Sequence, residues 1–338
     1  MRWMDAPPVE VELSGPATMT PPRACPSIRR TSHIDMVRAG GPSGDLHLTA
    51  GARDLRTWGD GSATVVGTAS LQARVGVDRR LAEVWTSPEE PAMSALVGRV
   101  VGSGFRGAVA RCAPDQAEDG TPLHLLLDEL PIASLLSEYS RRATEVRDSR
   151  GRPAPASHRL DVCAGWRRGG ATLNLLAAGR LPVYVGPPAP PLDAGDDADA
   201  WHAVGYLPVG AMRRRRRLDV SGRDPLRIDA MFRDTYSDSL GFEHVLHEYT
   251  LAAEVDPRTL TVECVVVSPA VLPYADCISA AITAHGIRGL RIPLLRNYVE
   301  QALFGPSTCT HLNDLLRSLA DAGSLAAAGG LVEGHGSR

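Results

Sequence analysis

Lysine is absent: all 36 basic residues in the 338-residue chain are arginine. Without lysine there is no Schiff base, no pyridoxal phosphate anchor and no P-loop lysine. Gly-x-Ser-x-Gly is also missing, which removes the elbow of a serine hydrolase. No apolar run approaches membrane-spanning length, and the N-terminus lacks the basic start and apolar stretch of a signal peptide. A net charge of −3 gives no general pull towards nucleic acid or a membrane. Cys25, Cys112, Cys163, Cys264, Cys277 and Cys309 are widely scattered, with no Cys-x-x-Cys. Six in so long a chain do not make a disulfide scaffold, so reduced thiols in a cytoplasmic protein are expected.

What the chain does contain is concentrated near its end. From Thr308 to Leu319, Leu312, Leu315, Leu316 and Leu319 repeat at the spacing of one buried helix face. Thr310 is the expected N-cap. Cys309 then meets the positive end of the helix dipole, which lowers a thiol pKa. His311 borders the buried face beside it. A thiol and an imidazole at a helix mouth suit a nucleophile with its base, half of a metal site, or a structural cap.

The length suggests about two domains, and the chain reads as a repeat. Thr64 to Ala73 and Leu81 to Thr86 are strands about the turn Asp78-Arg79-Arg80. Ser87-Pro88 follows, and Thr121-Pro122 opens a leucine-faced helix. In the last third, Leu251 to Val255 and Leu260 to Val267 flank Asp256-Pro257-Arg258, Ser268-Pro269 follows, and Thr310-His311 opens the helix. The offset is about 180–190 residues, with about ten extra residues in the later copy around Pro273 to Cys277. The fold class is α+β: two similar β-hairpin-plus-helices modules forming a pseudo-dimer around a central segment. The divisions are an extended arm over 1–26, a first module over 27–149, a linker and central segment over 150–224, a second module over 225–325, and a flexible tail over 326–338.

Gly120 and Pro122 stand in the first copy where Cys309 and His311 stand in the second. The first module is therefore the degenerate one. The template Gly-x-Gly-x-x-Gly fits Gly102 to Gly107, but no βαβ series surrounds it and the second copy lacks it, so a nucleotide cofactor is not expected.

The central segment holds Cys163-Ala164-Gly165-Trp166, Trp201-His202 and five arginines, Arg213 to Arg217. In a strand Arg213, Arg215 and Arg217 share a face. A charge run is ordinarily a solvated edge; the sharper reading is a clamp for an anionic ligand. In the strand entered at His247-Glu248-Tyr249, His247 and Tyr249 face one way and Glu248 the other.

Arg233-Asp234, His247-Glu248-Tyr249, Leu272-Pro273-Tyr274 with Cys277, Gly289-Leu290 and Cys309-Thr310-His311-Leu312-Asn313-Asp314-Leu315 together resemble a bacterial domain-of-unknown-function family, number 2889. The Cys163 to Trp166, Trp201-His202 and arginine elements resemble its longer actinobacterial branch. The resemblance covers most of Ser27 to Leu325 and brings no assigned activity.

Two functions are weighed. The first is an enzyme of specialised, aromatic or acyl metabolism performing cofactor-independent or metal-assisted acid–base chemistry: cyclisation, isomerisation or addition/elimination. Its catalytic candidates are Cys309, His311, Cys277, His247 and Glu248. Its substrate-binding candidates are Trp166, Cys163, Trp201, His202, Tyr274, Arg233, Arg215 and Arg217. The second is a non-catalytic metal or iron–sulfur carrier ligated by Cys277, Cys309 and His311. The partner is a small molecule, anionic if the arginines bind it, with no nucleic acid and no membrane; a homodimer is left open.

Overall fold

The computed structural model describes residues 13–147, 160–180, 182–193 and 195–332. The expected linker between the modules falls largely outside these residues, as do the start of the arm and the end of the tail.

Eight strands form one antiparallel sheet: β1 (Ser27–Arg38), β2 (Leu46–Thr57), β3 (Ala63–Val75), β4 (Leu81–Ser87), β5 (Met212–Ser221), β6 (Leu226–Ser237), β7 (Glu243–Val255) and β8 (Val262–Val271). Their spatial order is β4-β3-β2-β1-β5-β6-β7-β8. The first four strands make one half and the last four the other, joined through antiparallel β1 and β5. Mixed helix and antiparallel sheet content makes the fold α+β. Each expected hairpin is the outer pair of a four-stranded unit. Residues 212–221, assigned by sequence to the central segment, are the strand that joins the halves.

The helices are α1 (Phe105–Cys112), α2 (Pro114–Glu118), α3 (Pro122–Leu136), α4 (Glu138–Arg147), α5 (Ala171–Ala177), α6 (Leu295–Ala302), α7 (Thr310–Ser318) and α8 (Ala322–Ala328). Thr121 caps α3 by accepting from the His124 N–H, and Pro122 opens it. Helix α7 differs from the expectation. Its N-cap is Cys309, Thr310 is already helical, and no side chain closes the cap. Leu312, Leu315, Leu316 and Leu319 are buried in the core of the second half, as their spacing requires. Helix α3 fills the core of the first half with Leu123, Leu126, Leu127 and Leu130. The packed chain runs beyond the expected start of a tail at 326, since Ala326 and Leu331 are buried.

The sheet is covered on both sides near its centre. Helices lie on one face. On the other, the described part of the arm and residues 187–193 and 195–209 cross β1 and β5: Trp201 Nε1 donates to Thr20 Oγ1 (2.7 Å), and the Ala17 N–H donates to Glu248 (2.7 Å). Alternate residues of the arginine run therefore enter two different interiors, which overturns the solvated-edge reading. Arg214 and Arg216 turn to the helices and pair with Asp234 and Glu129 (both 2.7 Å). Arg213 and Arg217 turn to the other face and pair with Asp35 (2.6 Å) and with Asp219 and Asp229. A carboxylate beside each guanidinium is what makes burying so many charges tolerable.

Candidate active site

The sheet divides the residues singled out by sequence into two groups. Glu248 is fully buried on the arm-covered face, where Arg233 donates to it at 2.5 Å. Arg215, Arg217, Trp201 and His202 share that face. Arg217 is held by its two aspartates, so it cannot also clamp a ligand. Arg215 has no ion pair among the described residues and lies 5.4 Å from the Trp201 ring centroid. His202 Nε2 meets His33 Nδ1 at 2.7 Å, and its Nδ1 meets Thr31 Oγ1 at 2.8 Å. Burial and nearby arginines push His33 down to about 4; burial and His33 push His202 down to about 3. These residues are structural partners of one another, separated from His311 by the sheet.

His247, His311, Cys309, Cys277, Cys163, Trp166 and Tyr274 lie on the helix face. The period-two alternation puts His247 there and Glu248 opposite, and the regular register of β6 and β7, which shifts only after this pair, sets His247 opposite Asp234. Helix α7 brings His311 over it. The two imidazoles stack with centroids 3.8 Å apart and planes 14° from parallel. Phe232 covers the other side of His311, with centroids 6.2 Å apart. His311 Nδ1 is 3.8 Å from Cys309 Sγ and 3.4 Å from Thr310 Oγ1. Its Nε2 is 3.7 Å from Asp234 Oδ2, beyond hydrogen-bond length, and is buried without a partner.

Electrostatics fix the resting protonation. Burial, with the Arg214 guanidinium adding to it, drives His311 well below the usual imidazole range. Burial and His311 do the same to His247. Both rings are therefore neutral near pH 7. The expected activation of Cys309 fails. Backbone N–H groups of His311 and Leu312 favour its thiolate, but burial outweighs them and pushes the thiol up to about 12. Burial raises Cys277 likewise. Cys309 is 3% exposed, so it lies behind His311 and away from solvent. The Tyr249 hydroxyl adjoins it without a directed hydrogen bond.

His247, His311 and Asp234 open on a narrow cavity of about 80 Å³. Its walls are Leu135, Leu136 and Tyr139 from α3 and α4, with Trp166, Tyr184 and Tyr274. It therefore lies where both halves and the central segment meet. A larger groove of about 490 Å³ adjoins it, sharing Leu135, Val162 and Thr310. Gly102 to Gly107 line the groove at the start of α1. That glycine loop follows an antiparallel sheet and is not part of a βαβ unit.

Sequence reasoning missed Asp234, Tyr139, Tyr184 and Arg142 at this cavity. Asp234 had a signal, since it belongs to the family pattern. Leu135, Tyr139 and Arg142 follow i, i+4, i+7 spacing, but the polar composition of α4 hides that face.

Among the described residues, one trio offers donor atoms all within 4.8 Å of one another: His247, Cys309 and His311. Cys277 is not part of it, so the expected ligand set Cys277, Cys309 and His311 is not the one assembled.

A family described as a protein of unknown function (DUF2889) matches residues 212–324, about a third of the chain. That segment is similar to the DUF2889 family. The match spans β5 to α8 and so takes in His247, Cys309 and His311. No curated protein and no solved structure matches the chain. Among the described residues no helix is long and apolar enough to cross a membrane.

Proposed function

We propose that the protein is an enzyme performing acid–base chemistry on a small molecule in the cavity over His247 and His311, with isomerisation, cyclisation or elimination as the reaction class. The observation that carries this is the unpartnered Nε2 of His311: a buried imidazole nitrogen with no hydrogen bond, on a ring that lines a cavity. Buried polar groups are almost always satisfied, and an exception in a cleft beside perturbed titratable groups is a mark of a working site. His311 is the proton acceptor, since its ring is neutral and its Nε2 has no hydrogen-bond partner. His247 buttresses it and relays charge, and Asp234 stabilises the imidazolium once it forms. Cys309 is a positioning residue, holding the far nitrogen of His311.

Apolar and aromatic walls suit a flat substrate. Solvent-deuterium incorporation into a panel of small acids and enones, followed by NMR, tests this reading. Catalysed exchange that is lost in His311→Asn supports it, and exchange unchanged in that variant contradicts it.

The second reading, a metal held by His247, Cys309 and His311, rests on their 4.8 Å grouping. Ring geometry weighs against it. A coordinated ion lies in the plane of each imidazole about 2 Å from nitrogen, and two stacked planes only 14° apart do not converge at that distance. One ring would have to rotate. Elemental analysis of freshly purified protein decides the matter: a stoichiometric metal lost in His311→Asn establishes the metal reading.

We also infer that the halves are two similar modules forming a pseudo-dimer. Supporting this, Arg29 pairs with Asp219 across β1 and β5 while Asp35 pairs with Arg213 across the same two strands. Superposition of the halves in an experimental structure tests it.

A further inference from the structure

Resting on the acid–base reading of the same cavity, we propose that Arg142 anchors the carboxylate of the substrate, so that the enzyme acts on a small, flat monocarboxylic acid. Arg142 lies on α4 and lines the same cavity as His311. Its Nε is buried without a partner. Its guanidinium sits 5.5 Å from the Trp166 ring centroid and makes no hydrogen bond or ion pair with the described residues. Nearby carboxylates are committed elsewhere: Glu138 pairs with Arg141 at 2.8 Å and Arg38 at 3.2 Å, and Asp234 with Arg214 at 2.7 Å.

This is out of keeping with the rest of the molecule. Arg29, Arg30, Arg213, Arg214, Arg216, Arg217 and Arg233 are all buried, and each has a carboxylate within ion-pair distance. Arg215, also without an ion pair, lies in a different hollow, with Asp193 and Glu243 on its rim. Trp166, Tyr139 and Tyr274 line the cavity with Arg142, and the nearby Glu138 is already paired with Arg141 and Arg38. Burial lowers the Arg142 pKa, as it does that of Arg215.

Two neighbouring hydroxyls are already committed: Tyr139 donates to the Tyr184 carbonyl, and Tyr274 donates to the Pro182 carbonyl at 2.8 Å. Among the described residues Arg142 is the one arginine that lines this cavity. A planar fork of donors matches a carboxylate. A cavity of about 80 Å³ fits a small, flat body and not a bulky one.

The test compares benzoate with its neutral isostere benzamide by titration calorimetry, on the full chain. Wild type should prefer benzoate. Arg142→Gln should weaken benzoate by about 10- to 100-fold, as loss of a charged hydrogen-bond partner does, and leave benzamide unchanged. Arg142→Lys, which keeps the charge and loses the fork, should fall between the two and guards against a folding defect in the first variant. Equal benzoate affinity in wild type and Arg142→Gln, or no benzoate binding by wild type at millimolar concentration, overturns the proposal. Calorimetry does not depend on proton transfer. Selective benzoate loss in Arg142→Gln, together with unchanged isotope exchange in His311→Asn, would leave the anchor standing and remove the acid–base reading.

Discussion

In the first half of the molecule Arg30 grips Asp54 across β1 and β2 with two hydrogen bonds of 2.6 Å. In the second, Arg214 grips Asp234 across β5 and β6 at 2.7 and 2.8 Å. Each arginine also reaches an aspartate near the C-terminal helices, Asp321 at 3.0 Å and Asp314 at 3.2 Å. The next residue across the sheet differs. Asp54 faces Gly67 on β3, whereas Asp234 faces His247 on β7. A side chain added at Gly67 would meet Pro122 at the head of α3 and Asp54, both at 3.3 Å. His247 meets His311 at the head of α7 instead. Beside a forked ion pair there stand glycine and proline in the first half and two stacked histidines in the second.

Substitutions that break one half and spare the other test this contrast. The largest effect is expected on rate. His311→Asn should lower isotope exchange by about 10²- to 10⁴-fold, while Pro122→Ala leaves it within error, as measured by NMR. Next come the buried forks. Asp54→Asn and Asp234→Asn should each cost about 1.5–3 kcal/mol in urea melts, the loss of a charged hydrogen-bond partner, since Asp321 and Asp314 still offset the guanidinium. A small loss for either would mean that the fork is not common ground.

Titration should give a smaller effect. His33 and His202 fold with pKa values near 4 and 3, below the unfolded value of 6.5. On acidification the unfolded chain takes up these protons first. Their contribution is intact above about pH 6.5 and is lost as pH falls towards 4, at about 1.4 kcal/mol per pH unit for each ring. Denaturant melts of His33→Gln should lose one such slope, and Pro122→Ala none. Smallest is Gly67→Ala, at about 1 kcal/mol, since Pro122 and Asp54 must yield only slightly. A cost several times larger would show a tighter seam in the first half.

Much of this frame was legible in the sequence. Hydrophobic spacing marked α3 and α7, Thr121-Pro122 marked a helix start, and alternation separated His247 from Glu248. The matching of Gly120 and Pro122 with Cys309 and His311 pointed to the half in which His247, Cys309 and His311 are grouped. What failed depended on contacts remote in sequence. Five consecutive arginines look solvated because their partners Asp35, Glu129 and Asp234 lie on other elements. Cys309 looked activated because a helix start is a local feature, whereas the burial that outweighs it is not. Arg142 looked like one charge among many on α4 until Trp166 and Tyr274 closed round it.

Nitrogen-15 NMR of the histidine rings, assigned with His247→Asn and His311→Asn, tests the central claim most directly. Both rings should keep neutral-imidazole shifts through the usual imidazole titration range, and the His311 signal should move when benzoate is added. Titration of His311 near the usual imidazole value, or shifts that change on chelation of a metal, would contradict a neutral base poised over an open cavity.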